Sequence, residues 1–244
     1  NIFLGGKTFV NSMKKNKYKI TKDKGVLELL EEHCPFTNLL LRNLFHNEED
    51  IHLINFLNWL NVVGFQDRHQ DIIYLFCGTN DIEQGQGSGK GVLIEYLNKM
   101  FSGLVQSVSN SSYKSDFNSL LQNKKILVFD EVNFKELKYE LLKDITGNSS
   151  INVEFKGKEP IVSKNVGSWL MFSNEWDLKG KITSEDRRVH LIRPNPKNGS
   201  LMKIITQKGI DFNSFRNKLH SEINNFIHII SLVPGKVKSP QEIT

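Results

Sequence analysis

The chain of 244 residues has only two cysteines, no internal repeat, no low-complexity tract and no long apolar stretch. Cys34 and Cys77 alone cannot build a disulfide framework, so the expected setting is reducing and cytosolic. The longest clean apolar run is Ile72–Cys77, far short of the ~20 residues that a bilayer crossing needs, and no membrane partner is expected. No basic-then-apolar leader opens the chain. Its first residue is Asn1 rather than Met, as in a piece cut from something longer.

What is present is ordinary for a globular protein: 39% hydrophobic and 24% charged residues, which argues against a disordered or fibrous chain. The length allows one core with helical additions, or two small domains. Lys plus Arg number 32 against 27 for Asp plus Glu, a net charge of +5. That mild excess permits nucleic-acid binding without demonstrating it.

The patterning divides the chain at about residues 70 and 195. Residues 1–70 read as mostly helical, a candidate oligomerisation collar. Val26–Glu32 and Ile51–Val63 carry apolar residues at helical spacing, and acidic Asn47–Asp50 precedes the second. The Lys14–Lys17 cluster reads as a solvated face. From residue 71 to 195, apolar strands alternate with helices. Strands are expected at Ile72–Cys77, Val105–Val108, Lys125–Phe129, Trp169–Phe172 and Val189–Ile192. A helix follows the first, and others are expected at about 113–122 and 134–145. The prediction is an α/β fold, a mainly parallel sheet with helices on both faces. Residues 196–244 form a C-terminal helical segment, with one amphipathic helix over Phe212–Leu232 ended by Pro234 and Gly235.

Between the first strand and its helix lies Gly85-Gln86-Gly87-Ser88-Gly89-Lys90-Gly91. Glycines let successive N–H groups turn inward on phosphate oxygens, the helix N-terminus adds positive potential, and the lysine reaches the β- and γ-phosphates. This is a P-loop pattern with two departures, Gln84 at its first glycine and Gly91 where a hydroxyl normally holds Mg²⁺. The strand Ile126–Phe129 ends in Asp130-Glu131. In P-loop NTPases such an aspartate holds Mg²⁺, and a following glutamate orients or deprotonates the attacking water.

Three further features are weaker. Ser173-Asn174 ends a buried strand, where ligands of parallel sheets gather, so Asn174 can meet a γ-phosphate; alone, the pair is equally a turn signal. Asp186-Arg187-Arg188 precedes the last strand. A guanidinium there can reach a neighbouring subunit's nucleotide, or form a plain surface ion pair. Ile151–Val162 reads as a hairpin with a basic tip, Lys156-Gly157-Lys158, suited to phosphate-backbone contact or simply an exposed turn.

Taken in order, Leu57-Asn58-Trp59-Leu60, the GQGSGKG loop, Asp116-Phe117-Asn118, the Asp130-Glu131 strand end, Lys156-Gly157-Lys158-Glu159-Pro160, Phe172-Ser173-Asn174 and Asp186-Arg187-Arg188 resemble a superfamily 3 helicase. These are AAA+ type motors of small viruses, phages and plasmids, and the likeness is greatest to phage and plasmid primase-helicases. It covers about residues 55–192, and a GKG loop is similar to one branch of that family. The resemblance implies an ATP-dependent DNA helicase with cofactors ATP and Mg²⁺. It implies Lys90 on the β/γ-phosphates, Asp130 and Glu131 handling Mg²⁺ and water, Asn174 as γ-phosphate sensor, and Arg187 or Arg188 as a finger supplied in trans. It also implies Lys156 and Lys158 on single-stranded DNA inside a homo-hexameric ring moving 3′ to 5′. Domains of this family are often fused behind a primase-polymerase domain, which the sequence here leaves open, and a phage-encoded member would work in the host cytosol. Two alternatives stay open: a P-loop kinase or ATPase without a DNA track, and a non-catalytic nucleotide-binding replication subunit.

Overall fold

A computed structural model describes residues 3–4, 7–8, 25–45, 48–66, 68–78, 87–108, 122–132, 143, 146–154, 157–174, 186–194 and 200–243. In chain order they form β1 (Phe3–Leu4), β2 (Lys7–Thr8), α1 (Val26–His33), α2 (Pro35–Leu44), α3 (Asp50–Phe65), β3 (Ile73–Cys77) and α4 (Lys90–Met100). β4 (Val105–Val108), β5 (Ile126–Phe129), β6 (Ser150–Val153), β7 (Ile161–Lys164), β8 (Ser168–Ser173) and β9 (Val189–Ile192) follow. The chain closes with α5 (Leu201–Gln207), α6 (Phe212–Ser221), α7 (Ile223–Leu232) and a 3₁₀ turn at Pro240–Glu242.

Five strands make one parallel sheet in the order β4-β5-β8-β3-β9. β3 is buried at every position, as its unbroken apolar sequence requires of a central strand. Its register sets Cys77 against Ser173 on β8 and Ile73 against Val189 on β9. All five strands therefore release their chains at the same end of the sheet, the end where ligands of parallel sheets collect. β6 and β7 form a separate antiparallel hairpin, and β1 pairs with β2.

Alternate sheet residues feed two apolar clusters, as a period of two dictates. Tyr74, Phe76, Ile126, Val128, Leu170 and Phe172 join residues from helices α1 to α7 in one core. Phe45, Phe56, Trp59, Tyr74, Phe76 and Phe172 form a run of ring contacts at its centre, a geometry worth about 1 kcal/mol per pair beyond burial. Trp59 Nε1 donates to the Ile72 carbonyl at 3.0 Å, pinning α3 to the start of β3. The opposite face gathers Ile73, Leu75, Leu127, Phe129, Trp169 and Met171. The helices expected at about 113–122 and 134–145 lie outside the described residues except for 122 and 143, as do Lys14–Lys17 and Asp116–Asn118 entirely.

The helical reading of residues 1–70 holds for α1–α3, with the short β1–β2 pair added before them. The single helix expected over Phe212–Leu232 is corrected to α6 and α7, interrupted at Glu222. The buried Glu222 carboxylate accepts from Phe36 N at 3.0 Å, Thr37 N at 2.8 Å and Thr37 Oγ1 at 2.8 Å. It thus satisfies the N–H groups that α2 leaves open at its positive end. Burial raises the Glu222 pKa, and those three bonds oppose the rise.

α7 and the chain beyond it are fastened along α3 by asparagines three residues apart. Asn58 Oδ1 accepts from Lys236 N at 3.1 Å, Asn55 Oδ1 accepts from Lys238 N at 2.7 Å, and Asn61 Nδ2 donates to the Ile230 carbonyl at 2.9 Å. A spacing of three keeps all three on one helix face, and each buried amide is satisfied by backbone.

Candidate nucleotide site at the carboxyl end of the sheet

The turn into α4 carries Gly87, Ser88 and Gly89, while Gly85 and Gln86 lie outside the described residues. Gly87 and Gly89 adopt φ of 84° and 101°, conformations that a side chain would strain. Space is also lacking: a Cβ on Gly87 would stand 2.8 Å from Ser200 Cβ, and one on Gly89 2.8 Å from Leu40 Cδ1. The loop is held from two sides. Asn43 Nδ2 donates to the Ser88 carbonyl at 2.6 Å, and Leu201 N donates to the Gly87 carbonyl at 2.7 Å. Ser88 is buried with an unpartnered hydroxyl.

Lys90 is the first residue of α4. Its ammonium donates to the Ser173 carbonyl at 2.9 Å and to Asn174 Oδ1 at 2.6 Å. Strand order explains the meeting, because β8 lies between β3 and β5 and its exit falls between the glycine loop and the acidic pair. Gly78 N donates to the Ser173 carbonyl at 2.7 Å. A Cβ on Gly78 would stand 3.1 Å from Asn174 Cα, so the two strand exits touch.

Asp130 and Glu131 leave β5 exposed. Glu131 takes φ 55°, a left-handed conformation uncommon outside glycine that costs roughly 1 kcal/mol. The next residue is clamped back to β8, with Val132 N donating to the Phe172 carbonyl at 2.8 Å and Ser173 Oγ to the Val132 carbonyl at 3.3 Å. Burial lowers the Lys90 pKa, and the Asp130 and Glu131 carboxylates oppose that. Burial also pushes the Cys77 thiol up to about 12, against Arg193 and Lys90. Cys77 is therefore a buried neutral thiol at the base of the site, and Cys34 is likewise a buried thiol.

An open cleft of about 510 Å³ extends from this cluster, a size typical of small-ligand sites. Its lining combines the glycine loop, Lys90 and Asn174 with the apolar Val92, Leu201, Met202 and Phe212. Glu95 also lines it and is held by Arg216, whose guanidinium lies 5.9 Å from the Phe212 ring centre. Met202 is 46% exposed, unusual for a large apolar side chain. Asn43, Leu201, Met202, Phe212 and Arg193 were not singled out from sequence. The available signals were weak: an asparagine inside an apolar helix and ordinary amphipathic spacing.

Arg187 and Arg188 precede β9 and stand at the amino end of the sheet, away from Lys90. Arg193, just past β9, stands at the Lys90 end. The hairpin is present, with Gly157 at φ 73° and Lys158 exposed at its tip, whereas Lys156 lies outside the described residues. Among the described residues no group of three or more His, Cys, Asp or Glu gathers to hold a metal, and no helix is long and apolar enough to cross a membrane.

Residues 84–188 match a family of unknown function, DUF5906. A DNA primase-polymerase of Nitratiruptor phage NrS-1 is 27% identical over 164 residues, which are 65% of this chain and 22% of that protein. The chain thus spans about a fifth of the curated relative it matches. Among solved structures, the apo C-terminal region of NrS-1 superimposes with a TM-score of 0.68 at 23% identity, covering 90% of this chain and 50% of that one. A second apo form of the same region gives 0.67 at 22% identity, over 93% and 51%. The fold is therefore α/β, a central parallel sheet with flanking helices, shared with that C-terminal region.

Proposed function

We propose that the chain is an ATP-dependent DNA motor of the superfamily 3 helicase type, acting in replication of a phage, virus or plasmid in the host cytosol. ATP lies with its phosphates on the Gly85–Gly91 loop and Lys90. Its base lies against the apolar wall of Val92, Leu201, Met202 and Phe212. The observation that carries this reading is the convergence of Lys90, Asn174, Asp130 and Glu131 from three separate strand exits. A half-buried ammonium bonded to an amide, with two exposed carboxylates at the neighbouring strand exit, is suited to triphosphate cleavage.

The residues present also fit a magnesium ion. Mg²⁺ is usually held by one or two carboxylates, substrate phosphates and water, and exposed Asp130 supplies the carboxylate. When bound it neutralises charge on the β- and γ-phosphate oxygens. Gly91 offers no hydroxyl to it, and the buried Ser88 hydroxyl is the nearest one in the loop sequence. Glu131 takes the proton of the attacking water, and Asn174 orients that water and the γ-phosphate. Arg187 or Arg188 comes from a neighbouring subunit, because their own P-loop lies at the other end of the sheet. Lys156 and Lys158 grip single-stranded DNA in a hexameric ring, with a primase-polymerase module on the same polypeptide.

ATP hydrolysis measured with and without single-stranded DNA tests the reading. Stimulation by DNA is expected. DNA-independent turnover would instead mark an ATPase without a track, and no turnover a non-catalytic nucleotide-binding subunit.

A further inference from the structure

Glu95 lies on α4 five residues beyond Lys90, about 7.5 Å further along the axis at 1.5 Å per residue. Gly91, Val92 and Glu95 all line the cleft, and spacings of four and three put Glu95 on the same helix face as both. The cleft thus runs from the glycine loop along one face of α4 to the Glu95 carboxylate. On α6, Phe212, Arg216 and His220 recur every four residues and share a face. Arg216 donates to Glu95 Oε1 from Nε, at 3.2 Å, and from Nη2. His220 Nε2 is 3.3 Å from the same oxygen, and His220 Nδ1 is 3.2 Å from Lys99 Nζ. An ammonium can only donate, so Nδ1 accepts and the neutral ring carries its proton on Nε2, facing Glu95. Burial and the Lys99 charge lower the His220 pKa; Glu95 opposes that and Arg216 adds to it. Three N–H groups therefore converge on Oε1, whereas among the described residues no hydrogen bond reaches Oε2.

We propose that Glu95 selects the base of the bound nucleotide: its open Oε2 accepts a hydrogen bond from the 6-amino group of adenine, with Arg216 and His220 as positioning residues. The inference rests on the nucleotide reading above and extends it from the phosphates to the base. A nucleotide whose phosphates occupy the loop has its base further along α4, where Leu201, Met202 and Phe212 suit the ring and a lone carboxylate oxygen suits an N–H on its edge. An ionised carboxylate has acceptors and no donor, so it favours an amino group and disfavours an oxo group at the same position. A mobile side chain would lose rotamer freedom on binding; the bonds from Arg216 and His220 have already removed it. Once a base covers Oε2, leaving that oxygen unpaired carries a desolvation penalty, which is how a polar group in a closed site rejects an analogue lacking its partner.

Equilibrium binding to the 244-residue chain, read by displacement of a ribose-labelled fluorescent nucleotide, is the test. ATP should bind roughly 10-fold more tightly than purine riboside triphosphate, which lacks only the 6-amino group, the scale of one hydrogen bond to a charged acceptor. Inosine triphosphate, with an oxo group there, should bind at least as weakly. Glu95→Ala should bring ATP down to the level of purine riboside triphosphate and leave the latter unchanged. Glu95→Gln should reverse the preference: Arg216 and His220 hold the amide oxygen, the NH₂ takes the place of Oε2, and a donor there favours inosine triphosphate over ATP. Arg216→Ala should shrink the preference for ATP, and Arg216→Lys should recover part of it. A mere ion-pair strut between α4 and α6 would move none of these ratios. Equal wild-type affinity for ATP and purine riboside triphosphate would overturn the proposal, as would a preference for ATP that survives in Glu95→Ala or Glu95→Gln. If Lys90→Ala loses ATP binding while the wild type shows no preference, only this inference falls. If the wild type binds no nucleotide, the nucleotide reading falls and this inference with it.

Discussion

Lys90 Nζ and Asn174 Oδ1 lie 2.6 Å apart, although 84 residues separate them in sequence. The bond joins the start of α4 to the exit of β8 and sets the ammonium between the glycine loop and the acidic pair. Asn174→Ala removes the amide while leaving the Ser173 carbonyl contact to Lys90. Turnover should fall ~10²-fold, the scale for loss of one preorganised polar group at a reacting centre. Nucleotide affinity should change little. Steady-state kinetics with a fluorescent-nucleotide titration separates the two, and unchanged turnover would remove Asn174 from the chemistry.

Glu131→Gln keeps the shape of the side chain and removes the base. ATP binding should persist while hydrolysis drops by roughly 10² or more. Asp130→Asn should raise the magnesium concentration needed for half-maximal rate. Near-normal hydrolysis by the Gln variant would place the base elsewhere.

The hairpin tip makes a salt-dependent prediction. Lysine–phosphate contacts release counterions and read no sequence. Lys156→Ala with Lys158→Ala should weaken single-stranded DNA binding similarly across sequences and flatten its slope against salt. Fluorescence anisotropy at several salt concentrations measures both. An unchanged slope would make the hairpin an ordinary exposed turn.

His190 gives the pH dependence of stability. It is buried against Tyr74, with a ring nitrogen 2.9 Å from the Lys238 carbonyl. Burial lowers its pKa below 6.5, the Lys238 carbonyl opposes that, and His52 adds to it. The folded chain thus holds His190 neutral while the unfolded chain protonates it as pH falls below 6.5. The stability contribution is complete above 6.5 and is lost as pH drops through the lowered folded value. Urea midpoints should fall more between pH 7.5 and 5.5 for wild type than for His190→Gln. Equal falls would show that His190 does not govern the trend.

The strands were legible because two local signals coincide. Ile73–Cys77 is apolar throughout, as only a strand covered on both faces is, and the glycines after it punctuate the turn into α4. The positions of Asp130 and Asn174 at strand exits were legible in the same way, as polar residues where an apolar run stops. The cleft wall was not legible. Leu201, Met202 and Phe212 reach the site from more than a hundred residues away, with the same spacing that any core helix shows. The interruption at Glu222 was hidden for a similar reason, since local spacing favours one long helix and only the open end of α2 draws the carboxylate inward. That Arg187 and Arg188 face away from Lys90 follows from strand direction, because they precede β9 and Arg193 follows it.

The most direct test of the central claim is ATP hydrolysis by Lys90→Ala, with nucleotide binding measured on the same folded sample. The Lys90 ammonium is hydrogen-bonded to Asn174 and is the loop's own side-chain cation. Hydrolysis should be abolished with and without single-stranded DNA, and nucleotide affinity should fall. Wild-type turnover in the variant would contradict the assignment of the Gly85–Gly91 loop as the phosphate site.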